Sequence, residues 1–162
     1  MDSITLQGRL SDRDAWTAQR CSISKALDVV GTRTAMLILR EAYYGARRFD
    51  EFTRRVPMTE AVAAARLRDL TDSGLLRRAP YQEPGQRTRH EYQLTQMGLD
   101  LLPALLGLMQ WGDRYLAEQP GGPMRLTHID CGEPIHVEIH CAAGHEVGPG
   151  EIAMRRRRGA DT

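Results

Sequence analysis

The stretch 48–94, RFDEFTRRVPMTEAVAAARLRDLTDSGLLRRAPYQEPGQRTRHEYQL, decides the fold. Arg48-Phe49-Asp50-Glu51-Phe52 opens a helix that Val56-Pro57 stops, because proline disfavours helical dihedrals in the residue before it. Thr59 caps a second helix running to Ser73, and Gly74 supplies the left-handed stop. Leu75-Leu76-Arg77-Arg78 begins a strand, Glu83-Pro84-Gly85 turns the chain, and Arg87 to Leu94 returns as its partner. Two helices joined by a tight turn and followed by a basic β-hairpin make a DNA-docking shape. The second helix suits a major groove, and arginines on the hairpin, or wing, suit phosphates or the adjacent minor groove.

Site candidates follow from that shape. On a helical wheel Ala63, Leu67 and Leu70 share the inward face of the second helix. Thr59, Glu60, Ala61, Val62 and Ala65 then occupy its outward first turns, with Arg66 and Arg68 on the flanks. Such a face offers few hydrogen-bonding readers of base edges, so apolar contact with thymine methyl groups and DNA shape should weigh more. Arg87, Arg89 and His90 flank the glycine turn of the wing and carry the clearest electrostatic signal. Arg47, Arg48, Arg54 and Arg55 are further phosphate candidates. The expected partner is a pseudo-palindromic duplex with half-sites about one helical turn apart. A winged helix serving only protein interaction is the alternative, but it has no need of arginines at the wing tip.

Outside this module the signals are helical, then extended. Ser22 or Ser24 can cap a helix through Val30, closed by Gly31, and Asp12 to Arg20 reads as a short helix or a frayed arm. Thr32 or Thr34 precedes a helix from Ala35 to Tyr44, whose Met36-Leu37-Ile38-Leu39 run is apolar nearly all round and marks it as the most buried. From Thr95 to Glu118, Leu99, Leu102, Leu105, Leu106, Met109 and Leu116 recur at spacings of three and four, while Leu101, Leu108, Trp111 and Tyr115 add a second apolar face. A helix apolar on two faces exceeds what one small domain can cover, which predicts a homodimer through Leu99, Leu102, Leu105, Leu106, Met109, Trp111 and Leu116. Pro103 predicts a break just before it.

Past Pro120-Gly121-Gly122-Pro123 the period changes to two, with Ile135, Val137, Ile139 and Cys141 on one side of a half-buried strand. The chain therefore divides into an N-terminal arm (1–20), a winged helix-turn-helix with dimerisation helices (21–119), a small β-rich appendage (124–154) and a disordered basic tail (155–162). The fold class is mainly α with a β-wing (α+β). In the appendage, His128-x2-Cys131 and Cys141-x3-His145 could present four donors to a structural zinc ion. Free thiols or a Cys131–Cys141 disulfide are the alternatives.

Composition agrees with a regulator working inside the cell. No apolar run approaches the ~18 residues of a membrane span, and the polar N-terminus resembles no signal peptide. Three cysteines do not suggest a secreted disulfide framework, so the protein is expected in the cytoplasm. Net charge is only +1, but residues 21–97 hold 13 Lys/Arg against 9 Asp/Glu, whereas 98–154 hold 2 against 8. Positive charge is thus gathered around the reading module, where a polyanion would dock. No phosphate-cradling glycine loop, nucleophile elbow or paired-carboxylate signature points to an enzyme. His136-x-Glu138 followed by Cys141 lacks the second cysteine of zinc deaminases.

From Cys21 to about Leu116 the sequence resembles the HxlR-type winged helix-turn-helix regulators of the MarR-like superfamily. The resemblance is carried by Cys21-Ser22-Ile23, Ala26-Leu27-Asp28-Val29-Val30-Gly31, Leu37-Ile38-Leu39-Arg40-Glu41 and Gly45-Ala46-Arg47-Arg48-Phe49. It continues in order through Arg66-Leu67-Arg68-Asp69-Leu70, Gly74-Leu75-Leu76-Arg77-Arg78 and Glu91-Tyr92-Gln93-Leu94-Thr95 with Gly98. It implies a cytoplasmic, homodimeric transcription regulator that binds double-stranded DNA. The family usually has longer polar residues near Glu60 and Ala61, so this recognition helix departs from the pattern. Relatives with a cysteine at the place of Cys21 respond to oxidants or electrophiles, which suggests a redox switch there; a small residue tucked under the helix is the other reading.

Overall fold

Capping residues, glycines and prolines, acting over three or four positions, set most boundaries in the helical region. The computed structural model describes residues 3–15 and 21–156. In chain order the elements are β1 (Thr5–Leu6), α1 (Ser22–Val30), α2 (Arg33–Tyr43), α3 (Phe49–Arg55) and α4 (Glu60–Asp72). Then come β2 (Leu76–Tyr81), β3 (Arg89–Leu94), α5 (Gln96–Leu99), α6 (Leu102–Tyr115) and β4 (Ala153–Met154). The chain splits into two compact units, one formed by Ser22–Gly122 and the other by Met1–Cys21 with Pro123–Thr162.

In the first unit three threonines start helices in the same way. Thr32 Oγ1 accepts from the Ala35 amide, Thr59 Oγ1 from Val62 and Thr95 Oγ1 from Gly98, at 3.2, 3.3 and 3.1 Å. Each hydroxyl satisfies an amide that has no partner within its helix. Helix α3 uses its third residue instead, Glu51, whose Oε2 accepts from the Arg47 and Arg48 amides at 2.8 and 3.0 Å. Those two N–H groups, Arg47's first, hold the Glu51 carboxyl below its ordinary range. Gly74, at φ +83°, ends the α4 segment as expected.

The core forms where α2, α3 and α4 meet the hairpin. Ile38 and Leu39 of α2, Phe52 of α3, Leu67 and Leu70 of α4, and Leu76 of β2 are all but inaccessible to solvent. Met36 and Leu37 are only half-buried, so α2 is central without being covered on every side. Phe52 meets Tyr92 of β3 edge-on, with ring centroids 6.2 Å apart. Strands β2 and β3 pair antiparallel, with Leu76 opposite Leu94 and Tyr81 opposite Arg89. The helical stretch beyond Thr95 is broken as expected before Pro103. Helix α5 closes at Asp100 and α6 opens at Leu102, which puts the proline in the first turn, where its missing N–H costs nothing.

The second unit differs from expectation at three points. Thr5–Leu6 lies parallel to Ala153–Met154, so the N-terminal arm joins the appendage and does not stand apart. Within the expected helix or arm at 12–20, Arg13–Ala15 is a 3-10 turn, and 16–20 lies outside the described residues. The half-buried strand over 135–141 is not formed. Its ends are held by bonds from Ile135 N to Leu126 O and from Val147 N to Ile139 O. Ile135, Val137 and Ile139 remain 38%, 38% and 58% exposed. The alternation there has no second layer of structure to cover its apolar side. None of this unit's described residues is buried. Of the tail expected to be disordered, residues 157–162 lie outside those described.

Candidate nucleic-acid interface

Helix α4 divides as the helical wheel requires. Ala63, Leu67 and Leu70 are buried, while Thr59, Glu60, Ala61, Val62, Ala65 and Arg68 are exposed and Arg66 is half-exposed. The Thr59 hydroxyl is committed to its cap, and Arg66 bonds Asp69 at 2.8 Å. The exposed first turns therefore present short apolar side chains, Ala61, Val62 and Ala65, with Glu60 beside them. That surface can press on thymine methyl groups but has little with which to grip a base edge.

The basic residues separate into engaged and unengaged sets. Arg54 lies 3.7 Å from Asp50 and Arg55 lies 3.8 Å from Glu51, each pair one turn apart on α3. Arg47 faces Glu91 at 3.5 Å, and Arg77 donates to Gln93 Oε1 at 2.7 Å. By contrast Arg68, Arg78, Arg87 and Arg89 are exposed and enter no ion pair among the described residues. Arg87, Arg89 and His90 stand at the wing, as expected. Arg78 joins the set as an addition that sequence reasoning misses. It lines a cleft of about 280 Å³ between α4 and the wing, together with Arg68, Thr71, Asp72, Ala64 and Tyr92. The Arg77-Arg78 doublet carries the signal, since strand alternation sends one member to each face of the hairpin.

Arg48, a phosphate candidate by sequence, is engaged within the protein. The sequence assigns it to a phosphate, yet its guanidinium lies 2.7 Å from Glu83 and 4.7 Å above the Tyr81 ring. The bond to Glu83 holds the guanidinium above its ordinary range. Its neighbour Arg47 accepts the Tyr92 amide at 2.8 Å through its carbonyl, so residues 47–48 bind α3 to both strands of the wing.

The candidate dimer residues form an uncovered surface. Leu99, Trp111 and Leu116 are exposed, Leu102, Leu105, Leu106 and Met109 are half-buried, and α6 buries no residue at all. Leu108 and Tyr115, of the second apolar face, are exposed as well, and the Trp111 and Tyr115 rings lie 5.7 Å apart, tilted by 47°. Ile23 and Leu27 of α1, 68% and 57% exposed, are further apolar residues that sequence reasoning misses. Their i, i+4 spacing on α1 is the available signal. Cys21, one residue before α1, is partly buried, and all three cysteines are free.

The expected metal donors occupy two tight turns but do not converge. His128 Nδ1 lies 3.2 Å from Cys131 Sγ in a turn closed by a bond from Gly132 N to His128 O. The second turn joins Cys141 N to His145 O at 3.0 Å, and its amides, first that of Ala143, hold the Cys141 thiol below its ordinary range. Among the described residues no three His, Cys, Asp or Glu side chains gather as they would around a metal ion, so His128, Cys131, Cys141 and His145 are not brought together. The bridge Thr127–Pro134 encloses residues 128–133, whereas His140–Glu146 encloses only 141–145.

The comparisons agree with this geometry. The sequence profile of the HxlR-like helix-turn-helix family matches residues 29–120. HTH-type transcriptional regulators of Mycobacterium tuberculosis (Rv3095) and Mycobacterium bovis (Mb3122) are each 42% identical over 127 residues, covering 78% of this chain and 79% of theirs. The crystal structure of PA1607, put forward as a transcription factor, superposes with a TM-score of 0.75 at 31% identity. That match covers 86% of this chain and 96% of the other. The redox regulator HypR in its oxidized form is 31% identical with a TM-score of 0.52, covering 57% of this chain and 94% of its own.

Proposed function

The chain belongs to the HxlR-like helix-turn-helix family, and from that premise we propose that this transcription regulator acts as a homodimer on duplex DNA. Each protomer lays α4 in a major groove and sets the wing on the neighbouring backbone or minor groove. The observation that carries this reading is the division of the arginines. Those on α3 are matched by acids of the same helix, while Arg68, Arg78, Arg87 and Arg89, which border α4 and the wing, are unpaired among the described residues. Unpaired cations around a protruding helix and hairpin fit a curved polyanion. A pseudo-palindromic operator follows if the uncovered face of α5 and α6 pairs two copies.

The proposed place of action is the cytoplasm, where the DNA is. No helix among the described residues is long and apolar enough to cross a membrane. Cys21 is the proposed oxidant-responsive thiol, supported by its free state, its place beside α1 and the likeness to HypR. Anisotropy titration of the full chain with duplexes recovered from its native cell tests the main reading. Tight binding that weakens linearly in log salt is expected. Wild-type protein that binds no recovered duplex at low salt would leave a protein-interaction module in its place.

A further inference from the structure

Four separate contacts converge where α3 begins. The Arg47 carbonyl accepts the Tyr92 amide of β3, and the Arg47 guanidinium faces Glu91. The Arg48 guanidinium bonds Glu83 beyond the end of β2 and covers the ring of Tyr81, the last residue of that strand. Tyr81 is paired directly with Arg89, so the two side chains share one face of the hairpin. Arg48, Tyr81 and Arg89 thus lie side by side across the end of the paired strands. Arg48 and Glu83 side chains are 45% and 40% exposed, and an ion pair of that kind contributes little to stability. Their value is geometric. A planar guanidinium that stacks on a ring and bonds a carboxylate has its direction fixed by two partners at once.

We propose that Arg48 is a wing-positioning residue: it holds the distal end of β2 against the start of α3, and through the Tyr81–Arg89 pair it aims the wing-tip cations at DNA. This rests on the DNA-binding reading above. A wing untethered at this point would still carry Arg87 and Arg89, but it would order them only on binding, which lowers affinity without removing a phosphate contact. Arg48→Ala leaves the backbone amide that bonds Glu51, so the start of α3 is kept.

The test uses the full chain and a duplex of about three helical turns. Arg48→Ala should weaken binding about fivefold with the salt slope unchanged. It should cost nothing further once Arg87 and Arg89 are both alanine. Arg48→Lys should fail to restore affinity, since an ammonium lacks the planar fork. Without DNA, hydrogen exchange across residues 82–88 should be faster in Arg48→Ala than in the wild type. Losses that add in the Arg87→Ala/Arg89→Ala background, with the slope falling by about one charge, would instead make Arg48 a direct phosphate contact and overturn the proposal. If the wild type binds no duplex, the DNA reading fails by itself, and exchange still decides: unchanged rates at 82–88 mean that Arg48 positions nothing.

Discussion

The Tyr43 hydroxyl donates to the Gly98 carbonyl, joining α2 to α5 across 55 positions of sequence. Burial, and then the Asp100 charge, push the Tyr43 phenol above its ordinary range, so it remains a donor at any physiological pH. Gly98 is needed for a second reason. A Cβ added there would sit 2.3 Å from the Leu75 carbonyl oxygen and 3.0 Å from Leu94 Cδ2. Backbone cannot yield as a flexible side chain can. Gly98→Ala should therefore destabilise the helical unit by about 1–3 kcal/mol, and Tyr43→Phe by about 1 kcal/mol. Urea unfolding of both variants measures the two costs.

Glu51 links stability at the start of α3 to pH. Its folded carboxyl titrates below the ordinary 4.5, because the Arg47 and Arg48 amides bond the charged form. A depressed folded value means that the contribution is present above the unfolded pKa and is lost as pH falls through the folded one. Glu51→Ala should thus cost about 1 kcal/mol at pH 7. The difference from wild type should shrink as pH drops below about 4. Paired unfolding curves across pH check this, and a difference that grows on acidification would contradict it.

How much of the fold is legible in the sequence depends on the range of each signal. Pro57, Thr59, Gly74 and Glu83-Pro84-Gly85 act on immediate neighbours, so the helix-turn-helix and wing follow from the residues alone. Pro103 likewise announces the break between α5 and α6. The β1–β4 pair cannot be read, since two residues carry no periodicity and their partners lie near the other end of the chain. Alternation over 135–141 suggests a strand but says nothing of the packing partner that a half-buried strand needs. The role of Arg48 is hidden for a similar reason. An arginine beside the proposed DNA-binding helix reads as a phosphate contact, and nothing local in the sequence shows that it meets Glu83 of the wing.

If the face of α6 pairs two copies, as proposed, it sets the oligomeric state. Because α6 buries no residue within the unit, a charge placed at its centre should leave the fold intact. Trp111→Glu, at a side chain 53% exposed, should convert dimer to monomer at micromolar concentration with helical content unchanged. Light scattering and circular dichroism on one sample test both halves. The monomer should bind a single half-site far more weakly than the dimer binds the pair.

Arg87 and Arg89 should account for much of the salt dependence. Replacing both with alanine should weaken binding on all duplexes alike and reduce the slope of log affinity against log salt by about two per protomer. Equal affinity and slope in the double variant would exclude the wing from the interface. A loss confined to one sequence would mean base reading by these arginines and not backbone contact.

The first turns of α4 make the sharpest demand on recognition. Ala61, Val62 and Ala65 are exposed and offer no hydrogen bond from their side chains, so discrimination at the bases beneath them has to come from methyl contact and groove shape. Uracil in place of thymine removes only the methyl group and leaves Watson–Crick pairing unchanged. A methyl buried against Val62 or Ala65 contributes about 0.8 kcal/mol, so each critical substitution should lower affinity about fourfold. Val62→Ala should erase the thymine preference at one position per half-site while leaving the salt slope as it was. Uracil substitution without effect at every position of a half-site would show that α4 reads the groove by shape alone.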